Sequence, residues 1–294
     1  MNGILLVDKP KDCTSRDVVN KICKILGTKK VGHTGTLDPI ASGVLVICIG
    51  KCLKLVEILT CDEKVYDATV VLGYETDTLD VTGNVVCSSN SDKIITDDDI
   101  TRVLEKFVGV IEQEVPKYSA VRVNGKRLHE YARDGEDVIL PKRKVRINSL
   151  SLESSVKKND DGYLEFSIRC DVSKGTYIRS LIRDIGHSLG NYATMKDLRR
   201  IKQGNFIIDN CYTINDIERG NYKLLNPIDV LNYKKVIVND DVRFKIINGQ
   251  VLDPIFDEEV AMIIDKDNEL LAIYKRVGDK VRPWKMFKET KWLI

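Results

Sequence analysis

Apolar and polar positions follow two different periods along the chain, and each period predicts a different kind of element. Residues 3–7 form a short apolar run that predicts a strand, and residues 44–49 (VLVICI) predict a buried strand. In residues 64–74 every second side chain is apolar, which predicts a half-buried antiparallel strand. Apolar residues recur at helical spacing over residues 14–27 and 174–190, which predicts two amphipathic helices.

The segments between these elements mix both periods. Residues 97–107 predict a helix that begins with acidic residues, and residues 51–59 predict a shorter helix. Strands are predicted near residues 145–151, 163–171 and 204–208. Because strand and helix signals are interleaved irregularly, we expect a mixed α+β fold with a mainly antiparallel sheet.

The periodic pattern relaxes at residues 220–235, and the chain beyond them is short, strand-rich and basic. We therefore predict two domains, a large one over residues 1–232 and a small β-rich one over residues 236–294. No apolar run reaches the roughly 18 to 20 residues that a membrane helix needs. The first ten residues also lack the basic start of a signal peptide, so we expect a cytoplasmic protein with no membrane partner.

The charge of the chain is balanced overall but unevenly distributed. The formal net charge is +2, yet residues 117–146 contain nine Lys and Arg against four Asp and Glu. The last twenty residues contain seven basic residues against two acidic ones. Such segregated basic regions are compatible with a phosphate-rich partner, although solvated surfaces also carry them.

Metal-binding patterns are not prominent in the sequence. The eight cysteines are scattered without a C-x-x-C pair, and no histidine lies at finger-like spacing from Cys48 and Cys52. Residues 76–83 (TDTLDVTG) contain two aspartates, but the run is too short and too poor in oxygen ligands for a calcium loop. We expect reduced, half-buried cysteines and no metal site.

Residues 31–43 (VGHTGTLDPIASG) concentrate the residue types that carry chemistry. Glycines allow a ligand to approach the main chain, and Pro39 restricts Asp38 to an extended conformation. An aspartate held in a stiff turn beside hydroxyl groups is a candidate catalytic group. For an isolated motif, however, a glycine-rich turn with a helix-capping aspartate would be the better explanation.

Five blocks of sequence, in order, resemble the bacterial tRNA pseudouridine synthase B family. The first block runs from GILLVDKP through VGHTGTLDPIASG to GKCLKL, and the others are KVYDATVVLGYETDTLDVTG, YSAVRVNGKRLHEYAR, SKGTYIRSLIRDIGHSLG and DLRRI. The resemblance covers roughly residues 3–230. Residues 236–294 lie where this family carries a small RNA-binding domain of the PUA type, and there the resemblance is weaker.

The resemblance implies an isomerase that converts uridine 55 in the T-loop of tRNA to pseudouridine. The reaction breaks the N1–C1′ bond, rotates the base and re-bonds it through C5, so it needs no redox change, group donor or cofactor. The uridine must leave its stack to react, at a cost of a few kcal/mol. The implied partner is the T-stem and T-loop of tRNA, without a guide RNA, and we expect a monomer.

Three catalytic residues follow from the resemblance, namely Asp38, Tyr66 and Arg179. Asp38 is implied as the carboxylate that acts as nucleophile or base; attack on C1′, attack on C6 and removal of a ribose proton all stay open. Arg179 is implied to pair with Asp38, since a nearby arginine favours an ionised carboxylate. Tyr66 is implied to stack on the target base, and its hydroxyl is also a candidate for proton transfer. By pattern alone, Arg179 is a charge on the flank of a helix and Tyr66 a core aromatic.

The resemblance also implies residues that bind the substrate. His33 matches the histidine that contacts the RNA at the site the uridine has left, and Tyr177 and Leu198 match positions in the pocket. Without the resemblance, Leu198 would be a core residue on a helix. Lys142 and Arg143 belong to the basic segment of residues 117–146, which we expect to clamp the RNA stem through its phosphates and to become ordered on binding.

Two positions depart from the family pattern. The family often has proline at Val115 and tyrosine at His129, which affects local packing rather than chemistry.

Three different functions compete with the implied one. The string TGTL is also found in phosphoryl-transfer ATPases, but their nucleophilic aspartate precedes it. A non-catalytic tRNA-binding or folding protein is the second candidate, and a guide-dependent synthase is the third. The intact Asp38, Tyr66 and Arg179 favour an active enzyme, and the HTGTLDP loop favours a stand-alone one.

Overall fold

The computed structural model describes residues 1–60, 63–89 and 94–287 of the 294-residue chain. In chain order the strands are β1 (Gly3–Lys9), β2 (Val31–His33), β3 (Ser42–Ile49), β4 (Lys64–Leu72), β5 (Tyr74–Thr76), β6 (Val85–Ser88), β7 (Gly109–Glu114), β8 (Arg122–Val123), β9 (Lys126–Arg127), β10 (Lys142–Lys158), β11 (Leu164–Val172), β12 (Ala193–Gln203), β13 (Phe206–Ile207), β14 (Lys234–Ile237), β15 (Val260–Ile264), β16 (Leu270–Val277) and β17 (Lys280–Met286). The α-helices are α1 (Ser15–Ile25), α2 (Val56–Leu59), α3 (Asp97–Phe107), α4 (Leu128–Asp134), α5 (Ile178–Ser188), α6 (Ile214–Glu218), α7 (Pro227–Val230) and α8 (Asp240–Ile247).

A nine-stranded sheet forms the centre of the molecule. Its strand order is β1-β3-β12-β4-β11-β10-β7, with β2 added to β3 and β13 to β12. All pairings are antiparallel except the short parallel contact between β3 and β12. The expected α+β class with a mainly antiparallel sheet is therefore confirmed.

Helices cover the sheet where its strands are apolar. Helices α3 and α5 bury Leu104, Leu181 and Ile182 in one core with Val70 and Phe166 of the central strands. Each fully buried side chain of this size contributes roughly 1.5–3 kcal/mol. Helix α1 packs on β1 and β3 in a second core. The predicted helices over residues 14–27 and 97–107 are confirmed, with capping boxes that start them at Thr14 and Thr96.

Strand β12 contradicts a prediction, because Leu198 lies on this strand and not on a helix. The strand was missed because its apolar alternation is interrupted by buried polar residues. Arg200 and Gln203 are fully buried, and they hydrogen-bond to the loop that carries Asp38. The predicted strand at residues 204–208 is reduced to the two residues of β13.

Strand β4 ends earlier than the alternating pattern predicts. It stops at Leu72, and Tyr74 belongs to the separate β5–β6 hairpin. Gly73 lies between the two strands with φ +126°, a conformation that breaks a regular strand. The predicted helix of residues 174–190 also begins later, at Ile178, although its predicted inward face is buried.

Strands β14 to β17 form a second, four-stranded sheet, and α8, which was not predicted, connects its first two strands. Met262 and Ile273 of this sheet share a core with Ile4 of the first. An ion pair of 2.7 Å also joins Lys285 of β17 to Glu57 of helix α2. The last seven residues of the predicted 236–294 domain lie outside the described residues.

The helices in the described ranges are all too short or too polar to cross a membrane. The seven described cysteines are free, and Cys48 and Cys170 are buried. Burial raises the pKa of both thiols to about 12. Cys61 lies outside the described residues. Within the described part of the chain, no three His, Cys, Asp or Glu side chains are grouped as metal ligands would be.

Candidate active site

A cavity of about 460 Å³ lies beside the loop between β2 and β3. The three predicted catalytic residues, Asp38, Tyr66 and Arg179, all line it. So do Tyr177 and Leu198, two of the predicted substrate-binding residues. These five residues come from a loop, two strands and one helix end, which are spread over residues 38–198. Their convergence makes the cavity the candidate active site.

Asp38 and Arg179 form an ion pair inside this cavity. Arg179 Nε lies 3.0 Å from Asp38 Oδ2. The arginine side chain is 7% exposed and the aspartate side chain 37% exposed. Arg179 is thus a buried partner and not a surface charge on a helix flank, while Asp38 stays accessible from the cavity.

The guanidinium of Arg179 is fixed on its other side. Its Nη1 donates to the carbonyl oxygen of Thr78 at 2.9 Å, and its Nη2 donates to that of Tyr118 at 3.2 Å. Asp80 lies 4.0 Å from Nη1 and is held by Thr78 Oγ1 at 2.9 Å. With both terminal nitrogens engaged, Nε is the group directed at Asp38. The sequence alone indicates only a polar turn at residues 76–83, so this role was missed.

Two residues near the start of the chain, Lys9 and Ser15, hydrogen-bond to the main chain on either side of Asp38. Ser15 Oγ accepts a hydrogen bond from Leu37 N at 2.9 Å and donates to Leu37 O at 3.2 Å. Lys9 Nζ donates to Pro39 O at 3.4 Å. Lys9 is fully buried, and burial lowers its pKa. The residues immediately before and after Asp38 are therefore anchored.

Strand β12 holds the preceding part of the same loop. Arg200 donates to the carbonyl oxygens of Gly35 and Thr36 at 3.3 and 3.4 Å. Gln203 Nε2 donates to Thr34 Oγ1 at 2.6 Å. All these polar groups are removed from bulk water or face the cavity, so their pairing limits the conformations of the loop. A carboxylate held in this way needs little reorganisation to act.

Close contact between β3 and β12 depends on a glycine. Gly43 has φ +105°, and a Cβ atom there would lie 2.2 Å from the carbonyl oxygen of Arg200. No side chain fits without separating the two strands. Gly43 therefore allows Arg200 to reach the loop that carries Asp38.

Tyr66 lies on β4, opposite Arg200 of β12, and is 7% exposed. Burial raises the pKa of its hydroxyl, and the neighbouring Arg200 opposes that effect without cancelling it. The side chain therefore remains a neutral phenol at neutral pH. Tyr66 belongs both to the core and to the cavity wall, so the two interpretations of this residue are compatible.

Tyr177 and Leu198 form parts of the cavity wall on different elements. Tyr177 is the N-cap residue of α5, two positions before Arg179. Leu198 is 5% exposed and lies opposite Ala68 across the β12–β4 pair. The apolar side chain of Leu198 excludes water from its part of the cavity.

His33 lies at the end of β2 and does not line the cavity. Its Nδ1 is buried without a hydrogen-bond partner among the described residues. Burial lowers the pKa of His33, and the charges of Arg16 and Arg200 act in the same direction. The imidazole is therefore neutral at pH 7, beside the cavity rather than inside it.

Lys142 and Arg143 lie on the exposed start of β10 and do not line the cavity. They pair with Glu114 and Gln113 of β7, the last strand of the sheet. Lys142 Nζ is 3.8 Å from Glu112, a loose and solvent-exposed ion pair. The two basic side chains thus remain available to a polyanion.

Two family models match consecutive parts of the chain. The TruB family pseudouridylate synthase N-terminal domain matches residues 23–178, more than half of the chain. The tRNA pseudouridylate synthase B C-terminal domain matches residues 179–231. The chain belongs to the TruB family.

Curated TruB relatives are similar over almost their whole length. The tRNA pseudouridine synthase B of Bacillus velezensis is 44% identical over 289 residues, covering 93% of each chain. That of Oceanobacillus iheyensis is 42% identical over 300 residues, covering 98% of each chain.

Solved structures share the TruB fold. An H/ACA ribonucleoprotein bound to a substrate RNA containing 2′-deoxyuridine superposes with a TM-score of 0.69 at 25% identity. A Cbf5–Nop10–Gar1 complex superposes with a TM-score of 0.68 at 26% identity. Each match covers 99% of this chain and 86% of the other.

Several residues that build the candidate active site were not singled out from the sequence. They are the buried polar residues that hold Asp38 and Arg179 in place, namely Lys9, Ser15, Asp80, Arg200 and Gln203. For Arg200 and Gln203 the sequence contains one indication of such a role. A charged or amide side chain at a core-facing position of a strand requires an internal hydrogen-bond partner.

Proposed function

We propose that this chain converts uridine to pseudouridine in tRNA, at position 55 of the T-loop. The observation that carries the proposal is the Asp38–Arg179 ion pair of 3.0 Å inside a cavity also lined by Tyr66. The names of the TruB relatives, tRNA pseudouridine synthase B, support the substrate class and the reaction.

Asp38 is the group that acts on the nucleotide. Its carboxylate is accessible, and the anchoring of Leu37 and Pro39 holds its main chain in place. Through attack on C1′, attack on C6 or removal of a ribose proton, the N1–C1′ bond breaks and a C1′–C5 bond forms. In every route C5 loses its proton to solvent and N1, freed from C1′, takes up a proton, so the isomerisation balances without an external reactant.

The other residues orient and enclose the base. Tyr66, a neutral phenol in the wall, stacks on the flipped uracil, and Leu198 excludes water beside it. Arg179 holds Asp38 in position. Because His33 lies beside the cavity, we assign it to the RNA next to the extracted uridine.

The RNA stem is bound by the basic segment of residues 117–146. Its Tyr118 carbonyl contacts Arg179, while Lys142 and Arg143 are exposed on the β10 edge. Within this segment the β8–β9 hairpin, α4 and the start of β10 have regular structure. That the segment becomes ordered on RNA binding stays a prediction.

We further propose that residues 236–294 form a PUA-like RNA-binding domain and that the enzyme acts in the cytoplasm as a monomer without a guide RNA.

The test is tritium release from a tRNA transcript labelled with [5-³H]uridine. The wild-type protein should release the label from one uridine per transcript, and none from a transcript with cytidine at position 55. Release from other positions would refute the assignment of position 55. No release combined with tight tRNA binding would instead favour a non-catalytic binding protein.

A further inference from the structure

The side-chain amide of Gln113 makes both of its hydrogen bonds to the main chain of one residue. Its Nε2 donates to the carbonyl oxygen of Tyr177 at 3.0 Å, and its Oε1 accepts from the Tyr177 N–H at 2.8 Å. Gln113 is 1% exposed, so water does not compete for these bonds. This pairing imitates one step of a β-ladder, and only a side chain with both a donor and an acceptor can make it.

The residue held in this way begins the helix that carries Arg179. Tyr177 is the N-cap of α5, and its own side chain makes no capping hydrogen bond. The next residue of β7, Glu114, forms an ion pair of 2.9 Å with Arg183, one helical turn after Arg179. Gln113 and Glu114, two successive residues of β7, therefore hold the chain just before and just after Arg179.

The same strand is part of the proposed RNA-binding edge. Gln113 lies opposite Arg143 in the β7–β10 pair. A second link joins β10 to the cavity wall, because Arg146 N donates to Ser173 Oγ at 2.9 Å and Ser173 N donates to Arg146 O at 2.8 Å. The wall of residues 173–179 is thus fixed to the ribbon that exposes Arg143.

We propose that Gln113 is a positioning residue of this enzyme. It sets the main chain of Tyr177, and through it Arg179, relative to Asp38, and it connects that geometry to the RNA-facing β7–β10 ribbon. It does not touch the substrate. The kinetic test of this inference rests on the proposed function. A second test, by hydrogen exchange, depends only on the structure.

The kinetic test replaces Gln113 with methionine, which has a similar shape but neither hydrogen-bonding group. Displacement of the pocket wall predicts a kcat about 10- to 100-fold lower, with a Kd for tRNA within about threefold of wild type because the phosphate contacts remain. Asn20→Met is the matched control, since Asn20 is an exposed amide residue on α1 outside the cavity and the proposed RNA-binding segments, and it should behave as wild type. A Gln113→Met enzyme with wild-type kcat would overturn the proposal.

A second variant, Gln113→Glu, separates positioning from loss of packing. An ionised glutamate accepts from Tyr177 N–H but repels the Tyr177 carbonyl oxygen, whereas a protonated one restores both bonds. The kcat of the variant relative to wild type should therefore rise about tenfold or more between pH 8 and pH 5.5. A ratio that is flat across this range contradicts the proposal, whatever the result with methionine.

Hydrogen exchange gives a readout that needs no activity. The amide of Tyr177 should exchange faster in Gln113→Met than in wild type, while Gln113→Glu, which keeps the acceptor, should retain most of the protection. Unchanged exchange in both variants would refute the link between β7 and α5. If wild type released no tritium but exchange changed as predicted, the proposed reaction would fail and the positioning of Tyr177 by Gln113 would stand.

Discussion

Arg179 Nε lies 3.0 Å from Asp38 Oδ2 while both Nη atoms of the same guanidinium donate to main-chain carbonyls. One side chain thus joins the Asp38 loop, the Thr78 turn and the Tyr118 segment. Lysine has one point charge and cannot make all three contacts. Arg179→Lys should therefore lower kcat/KM about 100-fold or more, by displacing Asp38.

The measurement is steady-state tritium release, with circular dichroism to verify folding. Arg169→Lys is the matched control, because Arg169 also pairs with an aspartate, Asp67, at 2.7 Å, but on the exposed face of the sheet. It should retain near wild-type kinetics. Equal losses in both variants would show that the Asp38–Arg179 geometry carries no special role.

The contact between β3 and β12 predicts a large effect of one methyl group. Gly43→Ala places a Cβ 2.2 Å from Arg200 O at φ +105°, and should destabilise the protein by about 3 to 5 kcal/mol. Gly162→Ala, at φ +84° with nothing within 4 Å, should cost only about 1 to 2 kcal/mol. Urea unfolding of both variants checks the difference, and equal costs would refute the steric account.

Replacement of Lys142, Arg143 and Lys144 by alanine should weaken tRNA binding and flatten its salt dependence. Loss of three phosphate contacts reduces the slope of log K against log salt by about 2 to 3. Alanines at Lys157 and Lys158, which are exposed at the other end of β10, are the control and should leave the slope unchanged. The check is filter binding between about 50 and 200 mM salt. The same slope in the triple variant and wild type would remove this strand from the RNA interface.

The buried environment of His33 predicts a pH-dependent contribution to stability. Its folded pKa is lowered by burial below the ordinary value of about 6.5. The unfolded chain therefore binds more protons near pH 6, so this contribution is complete above about pH 6.5 and is lost as pH falls through the folded pKa. Thermal melts at pH 7.5 and 5.5 should show a larger drop for wild type than for His33→Gln. Parallel drops would contradict a shifted pKa for His33.

Much of this architecture follows from local pattern. The helix over Asp97–Phe107 and the strand over Ser42–Ile49 could be predicted because their side chains repeat with one clear period. The resemblance also selected Asp38, Tyr66 and Arg179, which the structure brings to one cavity. Their chemical roles stay predictions.

The remainder depends on tertiary contacts that leave no periodic signal. Strand β12 was missed because Arg200 and Gln203 face inward, where the expected pattern has apolar residues. Arg179 donates to the main-chain carbonyl groups of Thr78 and Tyr118. Because every residue carries such a carbonyl group, the sequence does not show which ones bind Arg179. The bonds between Gln113 and a residue 64 positions away likewise become visible only in the folded chain.

The central claim is that Asp38 acts on a uridine of tRNA. Its most direct test is single-turnover tritium release by wild type, Asp38→Asn and Asp98→Asn, the last an exposed aspartate on α3. Wild type and Asp98→Asn should release the label at the same rate, and Asp38→Asn should bind tRNA yet release none. Release that persists in Asp38→Asn would contradict the account, because the loop around which the site is built would then not contain the reacting group.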